Sequence, residues 1–159
     1  MSDQPNYMTP EGYKRLKDEA DQLWNVDRPR VVRERAAAAE LGDRSENAEY
    51  LYAGKRLREI DRRLNFLNRR LEHAVVVDPK TQSGDRVIFG ATVDLENEDG
   101  ETITYRIVGE DESDPAKGKL SWKSPLGRAL LKRRAGDVVN FRRPAGDEVE
   151  YSVLDVRFE

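Results

Sequence analysis

The chain has 159 residues, with 28 basic and 31 acidic side chains, a net charge of −3, and charged and hydrophobic shares of 37% each. It has no cysteine, which excludes disulfides and thiol nucleophiles. The N-terminus lacks the basic and apolar regions of a signal peptide, and nowhere do about 18 apolar residues run together, so a cytoplasmic protein with no membrane partner is expected.

Thr9-Pro10-Glu11 reads as a helix start, since threonine caps well and proline is tolerated at the first helical position. Tyr13, Leu16, Ala20 and Leu23 then form a helical seam. Pro29 interrupts it, predicting either a kink or a new helix capped by Asp27. The run Ala36 to Ala39 favours helix, and Gly42 stops it.

Ser45 is the expected cap of the next helix, from Ser45 to about His73 and roughly 43 Å long at about 1.5 Å per residue. Its seam of Tyr50, Ala53, Leu57, Ile60, Leu64, Leu67 and Leu71 steps by three and four, the signature of a coiled-coil face. A short connection predicts an antiparallel pair, with ELGDRSENAEY at its tip.

From Ala74 the period changes to two. Val87 to Leu95 and Ile103 to Ile107 alternate around the turn Asn97-Glu98-Asp99-Gly100. Leu120 and Trp122 mark another strand, and Ser124-Pro125 caps a helix expected over 125 to 134. Val139 to Arg143 and Val149 to Phe158 bracket a further turn, with a bulge expected where the apolar phase slips between Val153 and Leu154. The fold class is α+β. An antiparallel coiled-coil hairpin over 1–78 precedes a small antiparallel sheet domain with one helix over 79–159.

His73 is the only histidine, so neither a zinc site nor histidine catalysis is indicated. Gly54-Lys55 lacks the context of a phosphate loop. The tip holds Glu40, Asp43, Glu46 and Glu49. Asp43 and Glu46, three apart, can turn two carboxylates to one side, a donor set that suits magnesium but cannot cage it alone. A solvated turn explains the same spacing.

Lys55, Arg62 and Arg69 recur every seven residues, as do Arg56, Arg63 and Arg70. Between 55 and 70 seven bases face two acids, an excess beyond what intrahelical pairing needs, which points to a nearby phosphate backbone. No aromatic residues interleave them, so base stacking is not indicated there.

GDRSENAEY followed by KRLREIDRR closely resembles the bacterial Gre transcript-cleavage factors, in particular the GreB branch. VIFGATVDLEN, YRIVG, SPLGRALL and PAGDEVEY resemble the family's C-terminal domain in the same order. The resemblance implies an FKBP-like second half and a non-enzymatic partner of bacterial RNA polymerase. Its coiled coil would enter the polymerase's secondary channel. Asp43 and Glu46 would help hold the second Mg2+ of the polymerase active site, so that the polymerase cleaves the 3′ end of backtracked RNA. The free protein, a monomer, would bind no metal tightly.

By the same resemblance, Ser45 and Asn47 support the loop. Lys55, Arg56, Arg62, Arg63, Arg69 and Arg70 contact nascent RNA, with DNA nearby, and Ser124, Pro125 and Leu126 dock on the channel rim. Ala53-Gly54 departs from the polar and basic residues of the GreB pattern, weakening the upper end of the stripe. Three other readings are a secondary-channel inhibitor, a peptidyl-prolyl isomerase built on the second half, and a bare coiled-coil scaffold.

Overall fold

The computed structural model describes residues 5–44 and 46–159. They divide into two compact units, 13–73 and a second formed by 74–159 together with the segment up to Gly12. The sequence places the boundary near 78; the contacts assign the N-terminal segment to the sheet unit because strand β1 (Asn6–Met8) pairs in parallel with β2 (Ala74–Val76).

In the helical unit, α1 (Pro10–Gln22) continues through a π-helical turn, Leu23–Asp27, into α2 (Arg28–Ala39). Asp27 is helical and caps nothing, so the chain runs through without restarting. The cause is Pro29. It has no N–H to donate, and its ring crowds the carbonyl four residues back. The wider turn accommodates both, with the Arg28 N–H donating to the Leu23 carbonyl five residues earlier. It also takes up one extra residue, so the buried seam steps by eight from Leu23 to Val31 and then by seven to Ala38.

Helix α3 (Ala48–Glu72) packs antiparallel on α2. Ala53, Leu57, Ile60, Leu64 and Leu67 are buried along it, as the period predicts. It starts three residues later than expected. The Ser45 cap lies outside the described residues; the cap observed is Asn47, whose Oδ1 accepts from the Tyr50 N–H at 3.1 Å. The 25 residues span about 37 Å. Arg63 clasps Glu19 of α1 through two nitrogens, at 2.5 and 2.9 Å, and Arg28 of α2 meets Asp61 at 2.9 Å.

The second unit is a sheet in the order β5-β4-β3-β7-β6, formed by β3 (Thr92–Glu96), β4 (Thr102–Val108), β5 (Lys119–Ser121), β6 (Val138–Arg142) and β7 (Glu148–Arg157). Three pairings are antiparallel, but β5 joins β4 in parallel, which corrects the all-antiparallel expectation. A crossover through two short 3₁₀ turns, Glu110–Glu112 and Pro115–Lys117, makes that direction reachable.

The strand expected from Val87 begins only at Thr92, because Phe89-Gly90 form a turn with Gly90 at φ +89°. The register slips between Asp94 and Leu95 so that Leu154 is passed over, the bulge the phase predicts. Helix α4 (Pro125–Leu130) is shorter than the expected 125 to 134, since Leu131 leaves helical geometry and Lys132 takes φ +72°. Val93, Leu95, Ile107, Leu130, Val139 and Val153 form the heart of its core.

The N-terminal segment is held by a buried carboxylate. Glu112 is 5% exposed and accepts from the Thr9 N–H at 3.0 Å, the Gly109 N–H at 2.9 Å and the Thr9 hydroxyl. A Cβ at Gly12 would sit 2.2 Å from the Glu112 carboxyl carbon, so glycine is required where α1 passes it.

Candidate functional site

Gly42, at φ +140°, turns the chain past the end of α2. The hairpin tip that follows is closed by Asn47, whose side-chain amide works in both directions. It caps α3, and its Nδ2 donates to the Ala38 carbonyl at 2.6 Å, tying the end of α2 to the start of α3. This two-sided role is what the sequence reading missed; its signal was a second good capping residue two positions beyond Ser45.

Asp43 and Glu46 lie on this turn, and both are exposed. Among the described residues no three His, Cys, Asp or Glu side chains gather to hold a metal ion. Two exposed carboxylates on a pinned turn are a partial set for a hard cation, suited to completing a site whose other donors come from elsewhere. Glu40 and Glu49 are exposed on the flanking helix ends.

The basic stripe divides into open and tied members. Lys55, Arg58 and Arg62 are exposed and make no ion pair among the described residues. Arg56 pairs with Glu59 at 3.7 Å, and Arg69 donates to the Asn65 carbonyl at 3.3 Å. Arg63 is the helix tie described above; Arg70 has its own contacts. The open cations therefore lie between residues 55 and 62 of α3. Ala53 and Gly54 are both buried.

In the sheet unit, the Ser124 Oγ accepts from the Gly127 N–H at 3.1 Å and donates to the Ser121 carbonyl at 2.7 Å, fixing the start of α4. A Cβ at Gly127 would lie 2.1 Å from that carbonyl oxygen. Pro125 is exposed, whereas Leu126 is 8% exposed and belongs to the core, so its part in this segment is to anchor it. Next to it Trp122 stands edge-on to Tyr7 at 5.2 Å and helps line an apolar hollow of about 320 Å³ with Phe89 and Leu131.

The family description "Transcription elongation factor, N-terminal" matches residues 6–76, and "Transcription elongation factor, GreA/GreB, C-term" matches 81–158. The chain belongs to the GreA/GreB family of transcription elongation factors. It sits on the GreB branch. Transcription elongation factor GreB of Neisseria meningitidis serogroup B is 53% identical over 96% of this chain and 94% of its own length. The GreB of Xanthomonas axonopodis pv. citri is 55% identical over 87% of this chain and 83% of its own. Among solved structures, the GreA factor homolog 1 protein of Thermus thermophilus is 25% identical, covering 97% of this chain and 99% of that one with a TM-score of 0.44. No helix among the described residues is long and apolar enough to cross a membrane.

Proposed function

We propose that this elongation factor acts on bacterial RNA polymerase in the cytoplasm, as a monomer. It inserts the hairpin tip into the secondary channel and stimulates the polymerase's own cleavage of backtracked RNA. The observation that carries the proposal is the pair of exposed carboxylates, Asp43 and Glu46, on a turn that Asn47 pins from both sides.

Asp43 and Glu46 supply the donors that the polymerase site needs for a second Mg2+ and orient a water against the scissile phosphodiester. When bound, Mg2+ would supply charge neutralisation at the scissile phosphate. The water oxygen bonds to phosphorus as the 3′ oxygen of the preceding nucleotide leaves, which frees a new RNA 3′ hydroxyl. The protein is an activator rather than a catalyst, since hydrolysis uses the polymerase's metal site. Lys55 and Arg62, open on α3, hold the extruded RNA by its phosphates, and the Ser124–Leu126 segment docks on the channel rim. A backtracked elongation complex tests this by RNA 3′ cleavage with and without the protein; no stimulation by the intact chain would overturn it.

A further inference from the structure

A groove of about 350 Å³ lies on the hairpin between α2 and the start of α3. It is lined by Arg28, Val32, Arg35, Ala36, Ala39, Arg44, Tyr50 and Leu57. Three of these residues are cations and none is an acid. Asp61 takes up the charge of Arg28 at 2.9 Å. Arg35 and Arg44 have no carboxylate within ion-pair distance among the described residues. Arg35 donates from Nη2 to the neutral Tyr50 hydroxyl at 2.8 Å, while its Nε is buried with no acceptor. The Arg35 and Arg44 guanidinium groups stand 4.7 and 5.6 Å from the centre of the Tyr50 ring.

An arginine pair without counter-charge repels itself, and a buried donor left unsatisfied is costly. An anion in the groove relieves both. The floor of Val32, Ala36, Ala39 and Leu57 is apolar, and the Tyr50 ring with its guanidinium groups offers planar surface for stacking. The volume is at the low end of the roughly 300–1,000 Å³ of small-ligand sites, suited to one nucleotide unit. We infer that this groove is a nucleotide site, with Arg35 and Arg44 on the phosphate and the apolar floor under the base or sugar. Single-stranded RNA and a free nucleotide share this chemistry. The inference stands apart from the polymerase reading, because the free chain alone performs the binding.

The test uses the full chain without polymerase. Fluorescence anisotropy follows a labelled eight-nucleotide single-stranded RNA at low salt, and a nucleoside triphosphate is titrated separately as a ligand and as a competitor. The double variant Arg35→Gln/Arg44→Gln is expected to bind at least tenfold more weakly. Ala36→Glu, which adds a carboxylate at the groove and removes no contact, is expected to do the same, with thermal melting confirming that it is folded. A triphosphate that binds alone and displaces RNA identifies a free-nucleotide site; RNA binding without triphosphate competition identifies RNA. If folded Ala36→Glu and the double variant both bind within twofold of wild type while Lys55→Ala/Arg62→Ala abolishes binding, the groove holds no nucleotide. Failure of both ligands to bind the wild-type chain overturns the proposal as well. Neither result bears on cleavage stimulation, which is measured with polymerase present.

Discussion

Single residues with no conspicuous sequence signature hold much of this protein together. Glu112 sits in a charged run, EDES, that reads as solvent-exposed, yet it is buried and tied to Thr9 and Gly109. Only the path of the N-terminal segment, set by non-local pairing of β1 with β2, makes that visible. Gly12→Ala forces the carboxylate out of this nest, since the new Cβ cannot share its space. We expect a loss of about 3 kcal/mol from stranded charged hydrogen bonds, read from urea unfolding.

Asp94 makes a pH prediction. Its hydrogen bond from Arg157, and secondarily that from Thr104, hold its carboxyl below the ordinary carboxylate range. A depressed folded pKa contributes stability that is present above the unfolded value near 4 and lost as pH falls through the folded value. Acid should therefore destabilise the wild type below about pH 4. Asp94→Asn should be less stable at pH 7, with the gap to wild type closing on acidification, as followed by thermal melting across that range.

At the scale of elements, period carried most of the information. The α3 seam buries the residues that the three-and-four spacing selects, and the slip at Leu154 appears where the strand phase breaks. Capping and connection geometry were less legible. The choice of Asn47 depends on the reach of its amide to Ala38 across the hairpin, which no local pattern encodes. The parallel β5 edge and the early end of α4 likewise depend on where the chain must return. Asn47→Ala removes both bonds at once and should cost about 1–2 kcal/mol, with loosened tip residues in amide exchange. Gly54→Ala goes the other way. Its Cβ would meet Arg58 and Arg35 nitrogens at 3.6 and 3.8 Å, ordinary contact distances, so the helix should gain about 1 kcal/mol in thermal unfolding.

For the whole molecule, composition bounded little: a net charge of −3 conceals acids at the hairpin tip and open cations between residues 55 and 62 of α3. That local segregation was readable from heptad position, while the sorting of the stripe into open and tied members needed the partners Glu19 and Glu59. The roles of Asp43 and Glu46 rested on family resemblance more than on spacing, because a turn with two acids three apart is equally a solvated turn. The proposed stimulation of cleavage depends on those two carboxylates. Its most direct measurement is RNA 3′ cleavage in a stalled, backtracked elongation complex, comparing wild type with Asp43→Asn/Glu46→Gln at concentrations where both bind polymerase. The double variant is expected to bind but to lose about a hundredfold in cleavage stimulation, roughly 2.7 kcal/mol of transition-state stabilisation. Stimulation equal to wild type would contradict it.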